Sequence, residues 1–331
     1  METVVDLSRL RSNIRRIRAV TRNKFCAVVK ANAYGHGIAV APYIENIVDC
    51  FFVADYDEAQ AVRHMGVRRP VLVLGGDIKP FLASNDVYII PTVSSAAELK
   101  ALLNSGKKNF SVAVNTGMNR FGADERELKR ISSLCRAADV LPNSVYSHLY
   151  DGVRSACVQC EKFERMTNDA VLAGNRHLYA SSALDTNGEL YDMTRCGIAM
   201  YGYHDGLESC MSVRAKIVAM RRVSVGEHVG YGEYTAEHDM TVAVVKCGYA
   251  DGFRRCDKQT YMRVRGQRCD VVGVPCMDVT MIDVTYTPCR IGEYAYIICQ
   301  KSDAQYLAEC YNTIVYEVLT GFNGRAKRIY I

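Results

Sequence analysis

The sequence lacks the long apolar runs and the leader pattern of membrane and secreted proteins. No hydrophobic stretch approaches the roughly 18 to 20 residues that span a bilayer. Residues 1–13 carry no signal-peptide pattern. The formal net charge of +5 is modest and is spread along the chain, so charge does not indicate a nucleic-acid partner. We therefore expect a cytosolic protein with no membrane and no nucleic-acid partner.

The 14 cysteines lack the paired spacing of a metal or disulfide framework. The one C-x-x-C pair, Cys157 with Cys160, falls in a segment with a helical pattern, and a single pair does not favour structural zinc. In a large cytosolic chain most thiols stay reduced and pack as small hydrophobic groups. The sequence therefore predicts no metal site.

Up to about residue 200 the chain alternates between strand-like and helix-like patterns, without an internal repeat or a low-complexity linker. The strand-like runs lie at residues 24–30, 50–54, 70–74, 87–90, 111–114, 144–147, 177–180 and 196–200. Strict alternation predicts parallel βα units, and a series of eight favours a TIM (β/α)8 barrel over an open sheet.

The pattern changes near residue 207. From Val213 onward, short Val, Ile and Tyr runs are separated by glycine turns, and helical periodicity is scarce apart from residues 304–311. We predict an α/β barrel over residues 1–206 and a mainly β C-terminal domain over residues 207–331. The first few residues of the chain are able to pair with the β domain.

Lys30 stands at the end of the first buried strand. The apolar run at residues 25–29 stops at Lys30, and Asn32, Gly35 and Gly37 follow. A partly desolvated lysine has a lowered pKa and becomes a usable nucleophile and base. A solvated lysine where a strand meets a loop is the commoner case, so this residue alone leaves both interpretations open.

The barrel interpretation places further candidate residues at the same end of the barrel as Lys30, because chemistry in this fold occurs at the C-terminal ends of strands. Further candidates lie at or just beyond such ends: Arg120, His148, Ser182 and the Gly197–Ile198 pair.

Residues 30–37, KANAYGHG, closely resemble the pyridoxal phosphate (PLP) lysine motif of bacterial alanine racemases. The resemblance covers nearly the whole chain, from VDLSRLRSNIRRIR at residues 5–18 to RAKRIYI at residues 325–331. It implies that Lys30 holds the cofactor as a Schiff base and that Tyr34 hydrogen-bonds its phosphate.

Two motifs carry further cofactor ligands by the same resemblance. YSHLY, at residues 146–150, implies that His148 lies against the pyridine ring, with a hydrogen-bonded core histidine as the alternative. HLYASSA, at residues 177–183, implies Ser182 as a phosphate ligand, with Ser181 as the close alternative because the alignment needs one extra residue.

TRCGIAMYG, at residues 194–202, is similar to the family's R-x-GIAMYG element. The resemblance implies that Arg195 faces the pyridine nitrogen and that Gly197 and Ile198 offer backbone N–H groups to the phosphate. A permanently charged arginine cannot accept that nitrogen's proton. The cofactor would then be a weaker electron sink, which favours reprotonation over transamination.

Motifs in both halves of the chain imply residues that bind the substrate or transfer its proton. TGMNRFG, at residues 116–122, makes Arg120 the arginine that helps hold the substrate carboxylate. In VGYGEYTA, at residues 229–236, Tyr231 would be a second catalytic base opposite Lys30. A free tyrosine has a pKa near 10, so this role needs a nearby positive charge, which Arg120 could supply.

Two more segments of the β domain resemble family elements. In CGYADGFRR, residues 247–255, Tyr249 would line the substrate entrance. In PCMDVTMID, residues 275–283, Met277 would offer its N–H to the substrate carboxylate and Asp278 would order the entrance. In the family the residues of the Tyr231 and Met277 type come from the partner subunit, which implies a head-to-tail homodimer with two composite sites.

The chain departs from the family's pattern at a few positions. Ala113 stands where many relatives carry a lysine that is often carbamylated, and Asn115 replaces an aspartate. Near the C-terminus, Gly324 next to Asn323 stands where the family has a tyrosine that narrows the substrate pocket. This last change leaves substrate preference open, because an apolar pocket discriminates poorly against an added hydroxyl.

The resemblance implies a PLP-dependent racemase that interconverts L- and D-alanine with the Lys30 and Tyr231 bases, and so supplies D-alanine for peptidoglycan. A serine or broad-specificity racemase is the alternative. Proteins that bind PLP on the same barrel and act in cofactor homeostasis lack the second domain, so the Tyr231 motif disfavours that class. A fold-related decarboxylase is disfavoured by the KANAYGHG and GIAMYG motifs.

Overall fold

The computed structural model describes residues 1–151, 156–181, 184 and 191–331. These residues form two compact units. The barrel unit comprises Arg11–Ala33 and Ile38–Met200, and the β unit comprises Met1–Leu10, Tyr34–Gly37 and Tyr201–Ile331. The domain boundary after residue 206 stays a prediction; the change of compact unit falls between residues 200 and 201.

Short parallel strands build the barrel unit. They are β2 (Lys24–Val28), β3 (Cys50–Val53), β4 (Val71–Val73), β5 (Ile89–Ile90), β6 (Thr92–Val93), β7 (Ser111–Ala113), β8 (Ser144–Tyr146), β9 (Arg176–His177) and β10 (Met193–Cys196). Their residues are almost all buried, as expected for strands with helices on their outer face.

The strands pair in two arcs, in the order β10-β2-β3-β4-β5 and β6-β7-β8-β9. Only Pro91 separates β5 from β6, and a proline removes a donor from the ladder. A parallel bridge between Ala180 and Arg195 joins the segment after β9 to β10. The predicted α/β barrel is thereby confirmed.

The last predicted strand of the barrel was misplaced. The strand is Met193–Cys196, and residues 197–200 form a turn in which the Met200 N–H donates to the Gly197 carbonyl over 3.0 Å. The apolar letters IAM after Gly197 indicate burial, which a buried turn satisfies as well as a strand does. Apolarity over so few residues does not distinguish the two.

Helix α1 (Leu7–Thr21) precedes β2. Helices follow most barrel strands: α3 (Val40–Ile44), α4 (Tyr56–His64), α5 (Lys79–Ala83), α6 (Ala96–Asn104), α7 (Glu125–Ala138) and α8 (Ala156–Met166), with a single left-handed turn, α2, at Lys30–Tyr34. The longer ones begin at side-chain caps. Asp55, Ser95 and Asp124 each accept a hydrogen bond from the backbone N–H three residues later, which satisfies a donor that the helix itself leaves unpaired.

The β unit contains β1 (Glu2–Val5), β11 (Met211–Val223), β12 (Met240–Val245), β13 (Tyr261–Val264), β14 (Gln267–Asp270), β15 (Thr280–Asp283), β16 (Tyr294–Ile298) and β17 (Lys327–Tyr330), with helices α9 (Lys301–Cys310) and α10 (Val315–Gly321). The sheet runs β14-β13-β16-β11-β1-β17, and β12 pairs with β11 and β15. The prediction of a mainly β C-terminal domain is confirmed.

The first strand of the chain lies inside this sheet. β1 pairs antiparallel with β11 and parallel with β17. A core of small and apolar side chains packs under the β12 and β15 strands: Val229, Ala236, Met240, Val242, Val272 and Met281. This core fixes the base of the loop that carries Tyr231.

In the described residues, no helix combines the length and the apolar character needed to cross a membrane. The cysteines whose side chains are described are all free thiols, and most are buried.

Candidate active site

The backbone after Lys30 follows an unusual path. Residues 31 to 34 have φ values of 52°, 52°, 56° and 53°, so a whole turn is left-handed without any glycine. The left-handed region costs a residue with a side chain about 1–2 kcal/mol. The turn therefore needs support from its surroundings, and each of its members has a defined partner.

Two of the supporting bonds are local. The Ala33 N–H donates to the Val29 carbonyl over 2.8 Å. The Asn32 side chain accepts from the Ile38 N–H over 2.7 Å. The asparagine of the KANAYGHG motif thus closes the loop that follows the lysine.

A third support comes from helix α4. The Glu58 carboxylate accepts from the Ala31 N–H over 2.6 Å and from the Ala54 N–H over 2.8 Å. One side chain thereby connects the backbone segments that follow strands β2 and β3, one of them at the residue after Lys30.

Lys30 itself is half-buried. Burial lowers the pKa of its amine, Arg120 lowers it further, and Glu58 acts in the opposite direction. The net shift is downward, so a larger fraction of Lys30 is uncharged at neutral pH than of an ordinary lysine.

Arg195 lies on β10 and is only 3% exposed. Its guanidinium donates to the carbonyls of Ser147, His177 and Leu178 over 2.6, 3.1 and 3.2 Å. It also lies 2.6 Å from His177 Nδ1 and 3.2 Å from His148 Nδ1. Burial lowers the pKa of Arg195 to about 10, which leaves it charged at neutral pH.

The two histidines beside Arg195 are neutral. Burial, and then the charges of Arg195, Arg120 and Lys30, lower the pKa of His148 to about 3. Burial and Arg195 hold the pKa of His177 well below its usual range. Because the guanidinium can only donate, each imidazole accepts at Nδ1 and carries its proton on Nε2.

The turn after β10 is organised by Ser181. The Ser181 hydroxyl oxygen accepts from the N–H groups of Gly197 and Ala199 over 3.1 and 3.2 Å. The N–H of Ile198 finds no acceptor among the described residues. Ser182 lies outside the described residues, so the structure places only the alternative serine at this turn.

Arg120 lies exposed on the loop after β7, with its guanidinium 5.9 Å from the Phe121 ring centroid. No acidic side chain in the described part of the chain pairs with it. Asn115 braces the loop instead: it accepts from the N–H groups of Gly117 and Asn119 over 3.0 and 3.1 Å. Beside it a cavity of about 20 Å³ is lined by Ala113, Asn115, Arg120, Tyr146 and His148, among others.

In the β unit, Tyr231 is 63% exposed and forms a β-bridge with Val274. Arg255 lies nearby, with its guanidinium 5.9 Å from the Tyr231 ring centroid and 5.3 Å from that of Tyr249. The Arg255 side chain also donates to the Pro275 carbonyl over 2.9 Å. One arginine therefore contacts the three segments that carry Tyr231, Tyr249 and Met277.

The turn at Tyr249 is bound to the Met277 loop. The Tyr249 and Ala250 N–H groups donate to the carbonyls of Cys276 and Met277, each over 3.0 Å. Tyr249 and Met277 remain 39% and 54% exposed.

Arg325 braces the same corner of the β unit. It pairs with Asp251 at 3.1 Å and with Asp278 at 2.7 Å. The hydrogen bond from Arg325 lowers the pKa of Asp278, so this carboxylate is ionised and oriented.

Tyr34 belongs to the β unit, where its ring lies 5.2 Å from that of Tyr201 and 5.8 Å from that of Tyr316. The next residue, Gly35, has φ of 81°, and a Cβ there would lie 2.3 Å from the Leu319 carbonyl oxygen. The glycine is therefore required by both its conformation and its close packing.

Comparison with known proteins gives the family to which the chain belongs. Residues 5–205 match the family model of the alanine racemase N-terminal domain, and residues 210–330 match that of the alanine racemase C-terminal domain. This chain belongs to the alanine racemase family.

Members of the family match over full length. An alanine racemase of Thermodesulfovibrio yellowstonii is 30% identical over 357 residues, covering 100% of this chain and 98% of that protein. The structure of alanine racemase from Clostridium difficile 630 has a TM-score of 0.93 at 28% identity and covers 100% of this chain and 95% of its own. That of Bartonella henselae alanine racemase, described with covalently bound pyridoxal phosphate, has a TM-score of 0.88 at 26% identity, with coverages of 100% and 99%.

The residues that the family resemblance selects fall into two groups. Within the barrel unit, the structure brings together Lys30, Arg120, His148, Arg195 and the Gly197–Ile198 turn. Within the β unit, Arg255 and Arg325 link Tyr231, Tyr249, Met277 and Asp278, while Tyr34 lies in the same unit, between Tyr201 and Tyr316.

Three residues at these sites were missed from the sequence: Glu58, Arg255 and Arg325. Arg255 ends the CGYADGFRR motif and Arg325 opens the terminal RAKRIYI segment, so their place in quoted motifs was an available signal. Glu58 gave no such signal, since its spacing from Asp55 is that of an ordinary helix start.

Proposed function

We propose that this member of the alanine racemase family is a PLP-dependent racemase that interconverts L- and D-alanine, and that it supplies D-alanine for peptidoglycan. The observation that carries the proposal is the setting of Lys30, a half-buried amine at a strand end of the barrel. Burial and Arg120 lower its pKa. Such an amine can act as a nucleophile toward an aldehyde and as a base.

The donor set of the chain fits PLP. Lys30 would hold the aldehyde carbon. The Ser181 hydroxyl and the N–H groups of Gly197 and Ile198 suit the phosphate. The family resemblance alone assigns the Tyr34 hydroxyl to the phosphate. When bound, PLP supplies an electron sink that makes the Cα proton of an amino acid acidic.

Arg195 would face the pyridine nitrogen, and His148 would lie against the ring. Five acceptors hold the guanidinium, and its two histidine partners are neutral. A charged guanidinium has donors and no acceptor, so Arg195 can donate to a ring nitrogen but cannot accept its proton. An unprotonated ring nitrogen weakens the electron sink, which favours return of the proton to Cα over transamination.

Racemisation requires that a proton leave one face of Cα and return on the other. Two bases on opposite faces accomplish this directly, and we assign Lys30 and Tyr231 to these roles. Arg120 and the Met277 N–H would hold the substrate carboxylate. The exposure of Tyr231 suits a group that serves a site on another chain.

We further propose a head-to-tail homodimer with two composite sites, in which each partner supplies Tyr231, Tyr249, Met277 and Asp278. The support is that all four lie in one unit, and that Tyr231 and Met277 are more than half exposed. Sedimentation equilibrium tests this: a protein that remains monomeric while racemising at full rate would contradict it.

A serine or broad-specificity racemase is the second candidate. A Cβ at Gly324 would meet no heavy atom within 4 Å, so the structure has open space where the family has a tyrosine. Next to it, the Asn323 side chain accepts from Arg328 over 2.5 Å, which adds a polar group. Chiral chromatography of the products from a panel of L-amino acids, led by alanine and serine, distinguishes the two candidates.

The central claim is tested by the cofactor attachment. The purified protein should absorb visible light as PLP enzymes do, and borohydride followed by peptide mapping should label Lys30. A label on another lysine, or protein that binds no PLP when the cofactor is added, would refute the proposal.

A further inference from the structure

Glu58 makes a hydrogen bond that its position in a helix does not require. It is the third residue of α4, after the cap Asp55. Glu98 occupies the same place in α6, after the cap Ser95. The Glu98 carboxylate accepts from the N–H groups of Ser94 and Ser95 over 2.6 and 3.1 Å, both within its own helix start.

The two oxygens of the Glu58 carboxylate bond to two separate backbone segments, unlike those of Glu98. One oxygen accepts from the Ala54 N–H over 2.8 Å, as Glu98 does from Ser94. The other oxygen leaves the helix start and accepts from the Ala31 N–H over 2.6 Å. Ala31 follows Lys30 and begins the left-handed turn, so this bond fixes the backbone on which the lysine side chain stands.

We propose that Glu58 is a positioning residue for Lys30. The Glu58 carboxylate holds the left-handed turn in place, and its negative charge opposes the effect of Arg120 on the Lys30 amine. This inference rests on the proposed function. A charge-assisted bond to backbone N–H is stronger than a neutral one, and a turn of four left-handed residues has no intrinsic preference that would maintain it.

The charged groups that act on the Lys30 amine are Arg120 and Glu58, and the titratable His148 lies close enough for Lys30 to lower its pKa. Burial and Arg120 lower the pKa of Lys30, and Glu58 raises it. His148 contributes no charge, because burial and its cationic neighbours lower its pKa to about 3. Glu58 is therefore the negative group in this balance.

The two possible roles of Glu58 predict opposite shifts. If its charge acts on the amine, Glu58→Gln lowers the pKa of Lys30 further. If Glu58 merely supports the fold, the loosened turn hydrates the amine and the pKa rises toward its ordinary value. The direction of the shift thus separates the proposal from a purely structural role.

The experiment is competitive acetylation with trace labelled acetic anhydride across pH, read by peptide mapping of Lys30. It uses the full chain freed of carbonyl ligands by hydroxylamine, as wild type, E58Q, E58D and E98Q. We expect the E58Q midpoint to move to lower pH and the E98Q midpoint to stay at the wild-type value. An unchanged or raised E58Q midpoint overturns the proposal.

Racemisation kinetics give the second measurement. E58Q should lose about tenfold in kcat with little change in KM, because one charge-assisted bond that orients the amine is weakened. E58D keeps the charge on an arm too short to span Ala31 and Ala54, so we expect a near-normal midpoint and a several-fold lower kcat. Wild-type kcat in E58D overturns the positioning role, even if E58Q does not fold.

The proposed function and this inference fail in different ways. A wild-type protein that neither binds PLP nor racemises refutes the function. The acetylation midpoints, which need no cofactor, still decide whether Glu58 acts on Lys30.

Discussion

The proposed catalytic residues of the barrel unit and those of the β unit are held in opposite ways. Arg195 is 3% exposed and has five acceptors around it. Tyr231 is 63% exposed and has one arginine near its ring. The barrel group is thus organised within its own unit, whereas the β group is presented on a surface.

This difference separates two tasks of a racemase. Holding a cofactor needs a fixed, desolvated donor set, which burial in a barrel provides. Adding a second base from the opposite face requires a group that another surface can receive. We therefore expect substitutions of Arg195 and its neighbours to affect cofactor binding and stability, and substitution of Tyr231 to affect proton transfer without loss of the cofactor.

The largest effect is expected from removing the lysine. Lys30→Ala should lower racemisation by about 10⁴-fold and abolish covalent PLP, because it removes both a nucleophile and a base. Absorbance spectra and chiral chromatography measure the two losses. Lys24→Ala, at the other end of β2, is the matched control and should retain both properties.

Tyr231→Phe comes next, with about a 10³-fold loss of racemisation in both net directions and no loss of bound PLP. The remaining base should still exchange the Cα proton of one enantiomer with solvent, which NMR in D2O detects as deuterium uptake without inversion. Tyr234→Phe, from the same loop, serves as the control. Parallel loss of PLP would show that Tyr231 is structural and would remove the contrast between the units.

The buried histidines should make the barrel unit sensitive to acid. The folded pKa of His148 is about 3, against 6.5 in the unfolded chain. Below about pH 6.5 the unfolded state therefore binds more protons than the folded state, and the free energy of unfolding decreases as the pH is lowered. Between pH 6.5 and 5 the loss is about 2 kcal/mol for this group. Urea unfolding at several pH values measures it.

The control for the acid effect is the exposed Gln267→Ala, which removes no titratable group and should leave the pH dependence unchanged. His148→Asn should reduce the slope, while the contribution of His177 remains. Equal slopes in both variants would contradict the assignment of the effect to the buried imidazole.

The smallest effect concerns substrate choice. Gly324→Tyr places a side chain in open space and should shift the ratio of alanine to serine turnover about tenfold toward alanine. Competition assays with both substrates measure the ratio. Gly174→Tyr, where a Cβ also meets nothing within 4 Å, should not change it.

The sequence was sufficient for the architecture of both units. Alternation of strand and helix patterns predicted the barrel, and short runs between glycines predicted the β unit. It failed at residues 196–200, because a buried turn and a buried strand are equally apolar. It could not choose between Ser181 and Ser182, because a single serine step leaves no periodic signal.

The site residues were harder to predict from the sequence than the fold was, and the reason is physical. Glu58 and Glu98 hold the same position in their helix starts, and they differ in the backbone N–H to which one carboxylate bond is made. That direction depends on the loop of another strand. The exposure of Tyr231 likewise depends on tertiary packing, which its own motif does not contain.

The placement of β1 between β11 and β17 has a consequence for biosynthesis. Glu2–Val5 leaves the ribosome more than 300 residues before its partner Lys327–Tyr330. The barrel unit holds its strand partners within residues 24–196 and can assemble while translation continues. Strand β1 must wait for β17, so the β unit completes its sheet later than the barrel unit does.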